Sequence, residues 1–373
     1  MHVLASKADL TTATNRLQGA LAEKNLAHIG LRTKGGELHI AAADRSLAVY
    51  CSLPSQIHEE GSAFVPAKLF SDVVKELPVG PVSLQVSENW LVISAGDKQQ
   101  FVMKLPLTKD AQWEEQPELT TTSIAAIPAL QLAYMISQVQ FCIASESSRN
   151  YGSVCLLHRV DNKTLRLVGT DGFRLSYCDI SFSMPENFLA SGICLTKRAL
   201  GELARMCHEG FEQIELRISE DETNLCACVD GYRIYLLLSA VKYPKYQGVL
   251  PNKLPAQVSA PRQVLQNVAR RVLLAAGKTK ALQLRFAESA LTMSSKSMGN
   301  AEGRERIPLA DYAGAACGMA INGKYLSDIF SATTSENLLI QFANEEKPIM
   351  LVPLVEPSNC CSKHVLVPIR ESE

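Results

Sequence analysis

No window of the 373-residue sequence approaches the roughly 18 consecutive apolar residues that a membrane-crossing helix needs. The opening stretch, MHVLASKADLTTATNRL, has no apolar core of signal-peptide length, so a cytoplasmic location is expected. Charge of one sign is not in excess either: 37 Lys plus Arg stand against 38 Asp plus Glu. No net field draws the whole chain to nucleic acid or membrane, and any phosphate binding would need cations gathered on one face. The 11 cysteines include no CxxC pair. An odd count without that spacing fits reduced thiols used as small buried hydrophobes. Cys226-x-Cys228 and the adjacent Cys360-Cys361 lack zinc-knuckle spacing and read first as strand residues.

Catalytic signatures are missing as well. There is no HExxH, no GxSxG and no glycine-rich dinucleotide fingerprint. The histidines, His2, His28, His39, His58, His158, His208 and His364, show no metal-ligand spacing. The stretch AAGKTK at 275–280 ends like a phosphate-binding loop, but Val272 stands where the pattern needs glycine and a helical pattern precedes it. Neither catalysis, a metal nor a cofactor is expected.

What the sequence does have is an internal repeat, which decides architecture before any motif does. Leu38 to Leu53 (LHIAAADRSLAVYCSL) and Leu165 to Ile180 (LRLVGTDGFRLSYCDI) share the leading Leu, the seventh-place Asp and a Tyr-Cys pair, placing Asp44 opposite Asp171. Helical stripes recur around them: Leu10, Leu17, Leu21; Leu132, Val139, Ile143; Leu265, Val272, Ala276. A second set runs Phe70, Val73, Val74, Leu77; Leu200, Leu203, Ala204, Cys207; Leu326, Ile329, Phe330, Thr333. Alternating runs follow, with Asp230-Gly231 as a hairpin turn. The expectation is an α+β protein of three repeated domains, 1–120, 121–248 and 249–373, with linkers in Thr108 to Ser123 and Lys245 to Ala260. In this reading Asp171-Gly172 is turn chemistry, since neither Asp44 nor Asp171 has an acidic partner in its own turn.

A cation stands two positions before the first apolar residue of each second helix: Lys68, Arg198 and Lys324. Two residues are about 200° of rotation, so each points away from the buried stripe. Lys75 and Arg205 extend the same faces, and Arg270, Arg271 and Lys278 add charge near the third domain's first helix. One such helix is ordinary, but the cation recurs in three repeats; if the repeats are arranged so that these helices share a surface, it carries a basic lining suited to phosphates without base readout.

VGTDGFRLS resembles the ATDGHRLA signature of the bacterial DNA polymerase III beta subunit family, the sliding clamps. HVLVPIR resembles that family's closing YVVMPMRL, and VKYPKYQGVLP its GxFPDYxxVLP. The resemblance implies clamp-type domains, each with two helices on antiparallel sheets, and a head-to-tail homodimeric ring around double-stranded DNA, held without sequence preference. It implies a non-catalytic processivity factor that serves DNA strand elongation by tethering the replicative polymerase alpha subunit. The clamp loader, and other polymerases and repair proteins with clamp-binding motifs, would share a groove between domains two and three. Carried over residue by residue, that groove comprises Thr170, Gly172, Arg174, Leu175, Pro244, Val249, Val365, Val367, Pro368, Ile369 and Arg370, with Tyr325 added. Phe101 and Met103 match the family's interface strand, and Leu273 and Leu274 the helix packed against it. The five repeated cations would face DNA. Phe173 departs from the usual His, Gly152 falls near a usual Leu, Gly248 replaces a larger residue, and Glu371-Ser372-Glu373 adds negative charge after Arg370. Arg149 is read as a gate beside the groove or a helix cap. Two other readings stay open: a nuclease or nucleotide-processing enzyme on duplicated α+β domains, and a diverged clamp serving repair or a mobile element.

Overall fold

The computed structural model describes residues 1–21, 28–96, 100–109, 111, 121–144, 150–278, 280–297, 299, 301–309, 312 and 314–369. Among them are six α-helices and 25 strands, every paired strand antiparallel. The helices are α1 (Lys7–Arg16), α2 (Ala67–Glu76), α3 (Ala129–Val139), α4 (Lys197–Cys207), α5 (Arg262–Val272) and α6 (Gly323–Ala332). They arise where apolar spacing and local caps agree. Ser6 accepts the Asp9 N–H ahead of α1, and Asn322 accepts those of Lys324 and Tyr325 ahead of α6. Most of the predicted stripe residues are buried, Leu10, Phe70, Leu132, Leu203, Leu265 and Phe330 among them, while Leu21 and Ala204 are half-buried. All three first-helix stripes outrun their helices: α1 ends at Arg16 and α3 at Val139, each continuing as a 3-10 turn, and Ala276 lies beyond α5; Leu77 and Thr333 fall at the C-caps of α2 and α6. After α3 the tighter turn carries Cys142, which lies outside the predicted stripe, into the core.

Two compact units result, Met1–Ile127 with Arg205–Leu238, and Pro128–Ala204 with Ser239–Glu373. In the first, a five-stranded sheet ends at the edge strand Phe101–Pro106, and an eight-stranded sheet is formed where Tyr232–Leu237 pairs with Leu47–Pro54. Asp230 (φ 41°) and Gly231 (φ 74°) make the turn into Tyr232–Leu237, as the sequence predicted. In the second unit, Arg174–Ser181 pairs with Cys360–Leu366, so another eight-stranded sheet runs from Ile193–Thr196 to Ala256–Pro261. Its four-stranded companion ends at the edge strand Glu302–Pro308. Each large sheet thus joins strands from consecutive repeats. The last repeat has its own aromatic core, with Phe286 stacked on Phe342 at 4.3 Å.

The pairing in the second unit buries a histidine. His364 stands opposite Ser176, fully enclosed, with Nδ1 2.9 Å from Ser176 Oγ, which also accepts the Cys142 thiol at 3.0 Å. Loss of hydration lowers the His364 pKa from 6.5 to about 3. Between those values the unfolded chain binds a proton that the folded chain refuses. Stability is therefore complete above pH 6.5 and falls as the pH drops toward 3. Urea midpoints measured from pH 7 to pH 4 are expected to fall more steeply for the wild type than for His364→Leu; parallel profiles would rule this histidine out as the acid-sensitive group.

Candidate functional site

The turn that drew attention in the sequence is built by its own side chains. Thr164–Thr170 ends at Thr170, and Arg174–Ser181 begins after Asp171, Gly172 and Phe173. Asp171 Oδ1 accepts the N–H groups of Phe173 and Arg174, both at 3.0 Å, and Gly172 takes the left-handed conformation at φ 90°. Thr170 Oγ1 donates to Arg174 O at 2.6 Å and accepts from Gly172 N at 3.1 Å. Asp44 does the same in the first repeat, accepting from Ser46 N at 2.7 Å and Leu47 N at 2.9 Å. Both aspartates are structural.

Arg174 extends this turn into a clasp. Its Nε donates to Asp171 Oδ2 at 2.9 Å, one terminal nitrogen to Asp328 Oδ2 of α6 at 2.6 Å, and the other to Phe141 O at 2.6 Å. The guanidinium lies 4.2 Å from the ring centre of Tyr325, also on α6. Arg174 is buried, so these bonds replace its hydration and lock the hairpin to α6 and to the turn after α3. Tyr325 is thereby placed beside the hairpin tip.

Next to the clasp lies an apolar floor. Leu175 and Val365 are buried with Val168, Tyr177 and Tyr246, and half-buried Leu156, Tyr243, Leu250 and Met350 pack against them. A partly exposed rim is supplied by Phe173 (59% exposed), Val249 (49%), Val367 (39%) and Ile369 (37%). Pro244 is exposed and Pro368 half-buried. The segment after Cys360–Leu366 is held at both ends, Val367 N donating to Phe173 O at 3.0 Å and Ile369 N to Ala320 O at 2.7 Å. Arg149, Arg370 and Glu371–Glu373 lie outside the described residues.

Sequence reasoning missed the tyrosines and Leu156. The Tyr246 hydroxyl lies 2.9 Å from His158 Nε2 and accepts from Arg166 at 3.3 Å; Arg166 is bidentate to Asp179 at 2.6 and 2.7 Å and lies over the Tyr177 ring. These partners are up to 88 residues apart, so no local signal marks them. Leu156 lies on Val154–Arg159, against the floor, whereas Gly152 sits in the preceding turn and accepts from Ala144 N. An added Cβ at Gly248 would meet open space.

The repeated cations differ in setting. Lys68, Lys75 and Lys324 are exposed, while Arg198 and Arg205 are half-buried. Arg205 donates to Arg16 O at 3.1 Å, at the end of α1. Arg271 is bidentate to Glu305, at 2.9 and 2.5 Å, so part of the charge near α5 is offset. Phe101 is half-buried and Met103 exposed on their edge strand. Leu274 is 85% exposed, but half-buried Leu273 packs against the last domain's core, where a Cβ at Gly323 would sit 2.4 Å from its Cδ2. Among the described residues no group of three or more His, Cys, Asp or Glu could hold a metal.

Three family models tile the chain: DNA polymerase III beta subunit N-terminal domain at residues 1–113, central domain at 126–245 and C-terminal domain at 247–370. The chain belongs to the DNA polymerase III beta subunit family. It is 24% identical to the Beta sliding clamp of Caulobacter vibrioides, over 99% of this chain and 100% of that protein. Its identity to the Escherichia coli K12 Beta sliding clamp is 23%, over 92% of each. A solved sliding clamp of Pseudomonas aeruginosa superposes with a TM-score of 0.90 at 22% identity, covering 99% of this chain and 100% of that one. The beta subunit of Thermotoga maritima gives 0.88 at 21% identity, covering all of both chains. The α+β expectation of three clamp domains is thereby met, and the enzyme reading gives way to a non-catalytic family.

Removing the clasp should be costly, because it leaves two carboxylates without their cation. Arg174→Ala is expected to lower stability by about 3 to 5 kcal/mol, the usual loss on breaking a buried pair. Denaturation followed by intrinsic fluorescence checks it; a loss within about 0.5 kcal/mol, that of an ordinary surface change, would contradict the clasp.

Proposed function

We propose that the chain works as a ring-forming sliding clamp, a processivity factor for DNA polymerase that catalyses nothing itself, with partner peptides docking on the floor formed by Leu175 and Val365. The observation that carries the peptide site is the partly exposed apolar rim around a rigid floor, the form of a peptide anchor. Pro244, Val249, Val367, Pro368 and Ile369 would touch the peptide, with Tyr325, Gly172 and Arg370 at its margin. Thr170 and Arg174 would act by holding the turn, since their polar atoms are engaged within the protein.

Lys68, Lys75, Arg198, Arg205 and Lys324 would meet DNA phosphates through charge alone, which suits a ring that needs only weak backbone contacts once closed. Exposed Lys68, Lys75 and Lys324 would supply most of the contact. The subunit interface would use the free edge Phe101–Pro106 of one protomer and the face carrying Leu274 on the next, because an unpaired edge strand invites pairing. We retain the domain boundaries 1–120, 121–248 and 249–373. The clamp loader, and other polymerases and repair proteins with clamp-binding motifs, are the further partners we propose, and a bacterial cytoplasm, at the nucleoid, is the proposed location.

Gly248, open on all sides, leaves the groove wall low and would admit a bulkier partner side chain than a larger residue would.

Two substitutions separate the surfaces. Phe101→Asp, with Leu274→Asp as the matching change, is expected to turn dimers into monomers in sedimentation velocity; an unchanged profile would remove these residues from the interface. Val367→Asp is expected to leave sedimentation unchanged yet weaken an apolar-acidic clamp-binding peptide about tenfold or more, as loss of a modest anchor would, in fluorescence anisotropy. Equal affinity would place the peptide elsewhere. Product length in loader-dependent primer extension tests the function itself: the wild type should lengthen products and Val367→Asp should not.

A further inference from the structure

Cys226 and Cys228 lie outside the surfaces proposed above for peptide, DNA and subunit contact. They lie two residues apart on the strand Asn224–Val229, so both side chains leave the same face of the sheet. Arg217 and Tyr235 stand opposite Cys226, and Glu215 and Arg233 opposite Cys228. The rings of Tyr50 and Tyr235 meet edge to face at 5.5 Å and bury Cys226, while half-buried Cys228 packs against them. The pair therefore has an apolar wall on one side and access through Cys228 on the other. Cys228 Sγ lies 3.5 Å from Glu215 Oε1, and that carboxylate pairs with Arg217 at 2.5 Å.

A hydrogen bond joins the two thiols. A disulfide does not suit this spacing. Residues i and i+2 of a strand have Cα atoms about 6.6 Å apart with near-parallel Cβ vectors, whereas a disulfide needs Cβ atoms about 4 Å apart. An ion accepting one thiolate on each side spans more, since each metal–thiolate bond is on the order of 2.3 Å. Zinc would want four ligands, which these residues do not supply. Two thiolates in an apolar setting select a soft ion.

We propose that Cys226 and Cys228 form a two-thiolate site for a soft monovalent metal ion, copper(I) being the biological example. Binding breaks two S–H bonds, forms two metal–sulfur bonds and releases two protons, with no change of oxidation state. The site is left with one negative charge, which Arg217 and Arg233 on the flanking strands offset. Cys360 and Cys361 cannot do the same, because adjacent strand residues point to opposite faces.

The test uses the full-length protein under anaerobic, reducing conditions, with copper(I) delivered by a chromophoric chelator that competes for it. The wild type and a Cys360→Ser/Cys361→Ser variant are expected to take one copper each, whereas Cys226→Ser and Cys228→Ser should each lose that binding. Retention by both of the latter variants, or no uptake by the wild type, would overturn the site. Iodoacetamide labelling of the wild type, read by mass spectrometry, needs no variant to fold. Copper should protect Cys228, the accessible member of the pair, and equal labelling of Cys228 with and without copper would refute the proposal.

Discussion

Backbone pairing between Arg174–Ser181 and Cys360–Leu366 is the constraint on which the second unit depends. It makes one sheet from strands nearly two hundred residues apart and sets Ser176 against His364. It also brings Leu175 opposite Val365, the centre of the apolar floor. Register is what makes this precise: a slip of one residue would turn His364 and Leu175 to the wrong faces. Arg174, at the end of this pairing, fixes the register by reaching both Asp171 in the turn and Asp328 on α6. Desolvating an arginine is costly, and three directed bonds with two aromatic rings offset that cost.

The same economy governs the surfaces. In the proposed reading, a rigid floor with exposed rim residues would let short peptides bind without reshaping the protein, which lowers the entropic cost of association. The basic helix faces would follow a different rule, since contacts to phosphates need charge but not fixed geometry. That difference fits the settings observed: the floor tyrosines are tied by hydrogen bonds and ring contacts, whereas Lys68, Lys75 and Lys324 are exposed.

Much of the architecture was legible in the sequence because it is periodic. The stripes through Leu10, Phe70, Leu265 and Phe330 mark helices by spacing alone, and Asp230-Gly231 marks its turn by backbone conformation. Asp171 is legible as turn chemistry, since its partners Phe173 and Arg174 are local. The clasp was not legible, because Asp328 lies 154 residues from Arg174 and nothing local announces it. The Tyr246 hydroxyl, held by His158 and Arg166, was hidden for the same reason. Leu273 and Leu274 look alike in sequence, yet one packs on Gly323 and the other is exposed, a distinction that only the end of α5 settles.

The central claim is that the protein stays on DNA by enclosing it and not by affinity. The direct measurement loads the protein with a clamp loader and ATP onto nicked circular DNA, then linearises half of the sample at moderate salt and follows retention by gel filtration. Retention on the intact circle and loss from the linear form are expected. Equal retention on both would mean that contacts alone hold the protein, and would contradict the ring.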